Sequence, residues 1–255
     1  MKKTNYHTHH YRCKHAVGKI IDYVQFAIER EISELGISCH VPYKDGRFPK
    51  DRMDYLDLSK YFQEIDQAKE TSQELTILKA LECEYFKDSH DYYLELKGKT
   101  DYLILGQHYF FKEDGKIVDS FYIHDKETLY LYRDNVIKGI ESGIFNFLAH
   151  PDLFMASYPK WDKDCERITE DILTACKKQN MPIEYNANGL RHDRKYPHDK
   201  FWKYVSDNYR DIEVLVNSDA HYPEALDDDF VKNSKNRIIN MDLNYIKLLQ
   251  TKKIK

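Results

Sequence analysis

Asn5-Tyr6-His7-Thr8-His9 closes a short β-rich run on two metal-binding side chains, two residues apart. The same arrangement returns in Ile37-Ser38-Cys39-His40, Ala80-Leu81-Glu82, Gly106-Gln107-His108, Leu148-Ala149-His150 and Ser218-Asp219-Ala220-His221. Each reads as a short buried strand that stops on His, Asp or Glu. One such stretch would carry little information. Spread from the first residues to near position 221, together they predict a barrel whose strand ends converge on a metal cluster.

Working outward from these stops, strands are expected over Thr4–His7, Gly36–His40, Thr76–Glu82, Tyr102–Gln107, Phe145–Ala149, Pro182–Asn186 and Glu213–Asn217. Helices are expected between them. Val17–Leu35 places Ile20, Ile21, Val24, Ala27, Ile28 and Leu35 near one face at helical spacing. Leu58–Ser72, Asp125–Ser142, Cys165–Gln179, His198–Asn208 and Asn244–Leu249 behave similarly. Asp57 or Ser59 suits the N-cap of the second, and Gly143 stands just past Asp125–Ser142. Strands alternating with helices imply parallel pairing and an α/β fold. A closed barrel also explains why no strand reads as an exposed polar edge. In such barrels chemistry sits at the C-terminal ends of the strands, where these His, Asp and Glu residues stand.

Composition agrees and narrows the function. The 255 residues suit one barrel domain over 1–255, and 42 % hydrophobic with 32 % charged residues suits a globular chain with a real core. A net charge of -4 gives no basic stripe for nucleic acid. The basic Lys252-Lys253-Ile254-Lys255 is short and reads as a solvated tail. No run approaches the ~20 apolar residues that span a bilayer, and the N-terminus lacks an apolar segment suited to a signal peptide. Cys13, Cys39, Cys83, Cys165 and Cys176 form no CxxC pair, which points to free thiols in a reducing cytoplasm. Cys39 and Cys83 are expected to pack the barrel rather than to ligate.

The candidate ligands are N and O donors. In a continuing strand His7 and His9 point to one face, so one ion can take both. Neutral imidazole favours Zn, Mn, Fe or Co. His15 follows after a loop and His40 closes the next strand. Glu82 is a carboxylate inside an apolar run, and burial without cations would cost several kcal/mol, roughly. Facing solvent is its alternative. His108 and His150 directly follow apolar runs, and Asp219 with His221 forms a second i, i+2 pair. His10, His90, His124, His192 and His198 lie in loop or helix-like contexts and read as surface or supporting residues. So many donors exceed one tetrahedral zinc and suit two or three divalent ions.

Taken together, His7-x-His9 with His15, the strand-end His40, Glu82, His108, His150-Pro151-Asp152 and Asp219-x-His221 resemble the PHP superfamily of metal-dependent phosphoesterases. The resemblance covers nearly the whole chain. It is greatest to the monofunctional histidinol-phosphate phosphatases, through His150-Pro151-Asp152-Leu153, Glu184-Tyr185-Asn186-Ala187-Asn188-Gly189-Leu190-Arg191 and Asn217-Ser218-Asp219-Ala220-His221-Tyr222-Pro223. It implies a distorted (β/α)7 TIM-like barrel. It implies one ion on His7, His9, Glu82 and Asp219, a second sharing Glu82 with His108 and His150, and a third on His15, His40 and His221. Ala80 stands where a Gly commonly precedes the bridging Glu, but Glu82 keeps the strand register and is preferred over Glu84.

The implied reaction is hydrolysis of a small-molecule phosphate ester, L-histidinol phosphate, in histidine biosynthesis. A bridging water deprotonated near neutral pH would attack the phosphoryl group. Glu82, Asp219 and Arg191 are the expected catalytic groups. Arg191 is the first candidate for phosphate, because a guanidinium suits bidentate binding; Arg12 and Lys14 come second. Tyr109, with Glu84, Tyr85, Asp88, Phe110 and Asp152, is in reach of the organic end. The general acid is open between Asp219, a metal-bound water and a loop His. The loop Pro42–Tyr55, with Arg47, Lys50 and Arg52, is expected to be solvated rather than to cover the site. Hydrolysis of another phosphate ester, metal binding without catalysis, and C–N hydrolysis are the competing readings. The last wants a strand-end Lys, and no expected strand ends on one.

Overall fold

The computed structural model describes residues 2–251; the basic tail 252–255 lies outside them. One sheet of eight parallel strands organises the described residues: β1 (Lys3–Asn5), β2 (Ile32–Ile37), β3 (Thr76–Cys83), β4 (Tyr102–Leu105), β7 (Phe147–Leu148), β8 (Ile183–Asn186), β9 (Glu213–Asn217) and β10 (Asn244–Tyr245), neighbours in that order. A small antiparallel hairpin, β5 (Tyr109–Phe111) and β6 (Ile117–Asp119), stands beside it. The first seven strands of the main sheet curl into a distorted (β/α)7 TIM-like barrel. It closes at the C-terminal ends, where Thr8 bridges Ala220 and His9 N–H donates to Ala220 O at 2.8 Å. At the opposite end β10 continues from β9, and Thr4 Oγ1 donates to Lys247 O.

Strand alternation makes the barrel a polarity filter. On β4, Tyr102 and Ile104 join the inner cluster while Leu103 and Leu105 pack outward. Phe147 joins the same interior from β7, Ala149 from just past it, Leu215 from β9 and Ala80 from β3. Two residues further along, the inward positions turn polar: Glu82 follows Ala80, and Asn217 follows Leu215. The period of two therefore stacks an apolar floor beneath a polar upper layer.

Helices α1 (Ile20–Glu29), α2 (Leu58–Thr71), α3 (His90–Lys97), α4 (Lys126–Glu141), α5 (Lys163–Gln179), α6 (Ala187–Arg191), α7 (Asp199–Asn208) and α8 (Asp229–Asn240) complete the α/β pattern. Asp125, Asp162 and Asp228 cap α4, α5 and α8 through their side chains. Gly143 takes a φ of +64° just past α4, the left-handed turn a glycine allows. Asp57 precedes α2, but its side chain makes no capping bond.

Two expectations are corrected. The helix read over Val17–Leu35 is α1 followed by β2, divided at Glu31, whose φ is +56°. Its buried face is Ile20, Tyr23, Val24 and Ala27, whereas Ile21 and Ile28 are exposed. Leu35 extends the helical pattern by chance; with Ile32 and Ile37 it belongs to the strand. Asn244–Leu249 is not helical; its first two residues pair with β9, and Ile246 N–H donates to Val214 O at 3.0 Å, so its backbone groups go to the sheet. The five cysteines are buried and free.

Candidate metal centre

Glu82 is the centre of the upper layer. It lies on β3, 1 % exposed, and its two oxygens face five imidazoles. Oε2 is 3.0 Å from His40 Nδ1, 3.3 Å from His7 Nε2 and 3.4 Å from His9 Nε2. Oε1 is 3.0 Å from His150 Nε2 and 3.6 Å from His108 Nε2. Gly106, just past β4, makes this possible: a Cβ there would collide with Oε1 and stand 2.8 Å from Glu82 Cγ. Asp219 is a second acidic pole. Its Oδ1 is 3.1 Å from His9 Nε2 and 3.7 Å from His7 Nε2, and its Oδ2 accepts from Asn186 and Asn188 amides at 3.1 and 3.2 Å. Asp219 and His150 hold positive φ values, +46° and +29°, where side chains other than glycine are uncommon. These tight turns aim both side chains back over the barrel mouth.

His15 and His221 extend the cluster. Each ring's Nδ1 meets a backbone carbonyl, Cys13 O at 2.8 Å and Asp219 O at 3.0 Å, which leaves Nε2 with a lone pair. The His15 and His221 rings are 4.9 Å apart, and His15 is 5.3 Å from His40.

The residues fit divalent ions by two observations. First, among the described residues, His7 Nε2, His40 Nδ1, Glu82 Oε2 and Asp219 Oδ1 face one another in the cluster and are buried without a hydrogen-bond partner. Each such atom costs about 1–3 kcal/mol unless something else satisfies it. Second, donors converge at ion-sized spacing. His7, His9 and Glu82 form one group, His9, Asp219 and His221 another, and His40, Glu82 and His108 a third, each with donor atoms within 4.8 Å of one another. Cys13 also stands within that reach of His15 and His221.

The charge balance agrees. Burial opposes ionisation of Glu82, but the surrounding His108, His7 and His40 hold it well below the usual carboxylate range. Asp219 is lowered in the same way, against burial, by His7, His9 and His221. Burial likewise opposes a charge on His9, yet Asp219 and Glu82 raise it to about 9. Burial and the charge on His9 lower His40 to about 3 and His221 to about 4. The carboxylates demand cations, and in their absence protons on His7 and His9 supply the charge.

The nine expected metal ligands therefore all meet at one end of the barrel. The expected phosphate contacts do not. Arg191 lies at the end of α6 with its guanidinium committed to Asp228 (2.7 Å), Asn188 Oδ1 (3.2 Å), Ser218 O (3.0 Å) and Ala225 O (3.2 Å). It braces the Asp219 turn and does not line the cavity. Arg12 is paired with Glu64 (2.5 and 2.7 Å), and Lys14 reaches Asp54 and Pro49 O on the surface. Tyr109 does line the cavity and donates to Asp51.

That cavity, about 460 Å³, opens over His9, His15, His40, His108, Glu82, Asp219 and His221. Its far wall carries Asp51, Arg52, Asp119, Phe121, Tyr122, Arg194 and Tyr196. Arg194 was not expected. No carboxylate among the described residues lies within ion-pair distance of it; it sits 4.7 Å over the Phe121 ring and donates to Tyr196 OH at 3.2 Å. Arg52 corrects the reading of loop 42–55 as solvated: it is buried, donates to both oxygens of Glu84 at 3.0 and 3.1 Å, and together with Asp51 forms part of the wall. His10, expected at the surface or in support, is buried and accepts from Arg12 N–H at 3.3 Å. Glu184 was also passed over. It lies fully buried beneath the cluster, 2.9 Å from His7 Nδ1. Its signal was the one that revealed Glu82, a carboxylate inside an apolar run.

Comparison with known proteins agrees with this geometry. A family model described as the PHP domain matches residues 5–188. A curated Deinococcus radiodurans protein named "Probable histidinol-phosphatase" is 25 % identical over 226 residues, 85 % of each chain. Two solved structures share the fold. One, a candidate histidinol phosphatase from Listeria monocytogenes, has a TM-score of 0.77 at 19 % identity, over 90 % of this chain and 99 % of that one. The other is histidinol phosphate phosphatase from Lactococcus lactis, complexed with zinc, L-histidinol and phosphate. Its TM-score is 0.71 at 19 % identity, over 96 % of this chain and 95 % of that one.

Proposed function

Because the chain belongs to the PHP-domain family, we propose that it is a metal-dependent phosphomonoesterase and that its substrate is L-histidinol phosphate. The observation that carries the reading is the convergence of five imidazoles on the buried Glu82 carboxylate, with Asp219 beside His7 and His9. In this reading His7, His9, Glu82 and Asp219 hold one divalent ion. Glu82, His108 and His150 hold a second, and His15, His40 and His221 a third. Bound ions would supply Lewis-acid neutralisation of the phosphoryl oxygens and a water acidic enough to attack near neutral pH.

The chain's own residues place the ester. Arg194 is the cavity guanidinium that has no carboxylate partner among the described residues, and it takes the phosphate role expected of Arg191. Phe121 lies under it and fixes its plane. The organic end of L-histidinol phosphate carries an ammonium and an imidazole. Asp51 and Asp119 on the far wall suit those cations, and Phe121, Tyr122 and Tyr196 suit the ring. Burial raises the Asp119 carboxyl, and a cation placed beside it would favour its ionised form. The bound L-histidinol and phosphate of the Lactococcus lactis structure, on a shared fold, support the same chemistry here.

The test is phosphate release by metal-loaded protein across a panel of phosphate esters. A kcat/KM for L-histidinol phosphate far above the rest is expected. Weak, even turnover of every ester would overturn the substrate; no release from any ester, with metal bound, would overturn the activity.

A further inference from the structure

Glu184 makes none of the contacts expected of a metal ligand, yet its carboxylate is used completely. It points inward from β8 and is fully buried. Oε1 accepts from His7 Nδ1 at 2.9 Å and from Asn217 Nδ2 at 3.0 Å. Oε2 accepts from the His150 backbone N–H at 3.1 Å and from Asn186 Nδ2 at 2.9 Å. Four donors meet the four lone-pair positions of one ionised carboxylate.

None of the other three donors can turn round. The His150 group is backbone. Asn186 Oδ1 already accepts from Asn188 and Gly189 N–H at 2.9 and 3.2 Å, and Asn217 Oδ1 from Tyr6 N–H at 2.9 Å, so both amides must present NH₂ to Glu184. Only the imidazole of His7 has a choice, between a proton on Nδ1 and one on Nε2. An acceptor at Nδ1 selects Nδ1–H and leaves the Nε2 lone pair aimed at the space beside Glu82 Oε2, 3.3 Å away. The same carboxylate also anchors the left-handed turn that presents His150.

We infer that Glu184 is a positioning residue that sets the ligand-competent tautomer of His7 and the turn of His150, and so controls how tightly the cluster holds its ions. The inference rests on the metal-centre reading above. It explains why a carboxylate is required: the amide in Glu184→Gln must point its NH₂ at two donors in either orientation. Only His7 can yield, by moving its proton to Nε2, the atom that faces the ion.

Chelator competition and metal analysis on Glu184→Gln test this, with wild type and His7→Asn as references. Zinc and manganese affinity should fall about 10- to 100-fold in Glu184→Gln. In a His7→Asn background the same change should cost much less, because its main target is gone. An unchanged affinity in Glu184→Gln, or an equal loss in both backgrounds, would overturn the inference. Nitrogen-15 NMR of histidines in the zinc-loaded wild type needs no variant: His7 should show a proton on Nδ1, and its absence there would also overturn it. Wild-type protein that binds neither metal would instead overturn the reading on which the inference rests.

Discussion

The interior of this barrel has a floor and a mouth, and they treat polar atoms in opposite ways. On the floor, Ala80, Ile104, Phe147, Ala149 and Leu215 pack with Tyr6 and Tyr102, and both hydroxyls are paired: Tyr102 OH donates to Tyr6 O at 2.6 Å and Tyr6 OH to Glu34 at 2.7 Å. One layer up, Glu184 satisfies four donors at once. At the mouth, His7 Nε2, His40 Nδ1, Glu82 Oε2 and Asp219 Oδ1 are equally buried but, among the described residues, lack hydrogen-bond partners. The same chain that paired its floor so fully did not pair its mouth. The difference teaches that the missing partner is not protein: the floor is built for stability, and the mouth is built to hold something else.

Phe147→Ala strikes the floor. It should cost about 3–5 kcal/mol of folding stability by leaving a cavity, while the folded fraction still binds its metal complement. Denaturant melts with metal analysis would check this; metal loss in fully folded protein would blur the division. Gly106→Ala strikes the mouth. The added methyl must push Glu82 aside, and a displacement on the order of 1 Å costs about 10²-fold in turnover. Turnover close to wild type would show that the mouth tolerates a moved carboxylate.

The two arginines at and just past the end of α6 sharpen the comparison. Arg194→Ala should raise KM for the phosphate ester and weaken inhibition by inorganic phosphate, each by about tenfold, or ~1.4 kcal/mol. Arg191→Ala should lower thermal stability, because it removes a guanidinium already bonded to Asp228 and three further oxygens. Steady-state kinetics and melting curves on both variants would show the division; swapped effects would restore Arg191 as the phosphate contact.

A further effect is on pH. His9 is raised from 6.5 to about 9 by Asp219 and Glu82 against the opposing pull of burial. In the metal-free protein its contribution to stability is therefore complete below pH 6.5 and is lost as pH rises through 9. Metal binding runs the other way, because the ion needs that nitrogen without its proton. Affinity should tighten by up to about tenfold per pH unit for each proton released between pH 7 and 9. Calorimetry in buffers of different ionisation enthalpy would count the protons; none released would contradict the charge balance described for the mouth.

Much of this was legible in the sequence, for a physical reason. Parallel strands buried on both faces are apolar runs, so a His, Asp or Glu at their end stands out, and Glu213–Asn217 was read with both bounds correct. The α1–β2 boundary was hidden because Ile32 and Leu35 fit a helical and a strand pattern alike. Arg191 and Arg194 lie three residues apart in one turn, and only the fold decides which guanidinium finds Asp228 and which faces the cavity. Arg52 was hidden because a loop's burial depends on the partner, here Glu84, that lies 32 residues away.

The central claim, that the unpartnered atoms of the mouth await divalent ions organised by Glu82, is tested most directly by metal content and turnover measured together. Wild-type protein should carry at least two divalent ions per chain, and Glu82→Ala, folded, should lose bound metal and phosphate release together. Full metal content with unimpaired turnover in Glu82→Ala would contradict it.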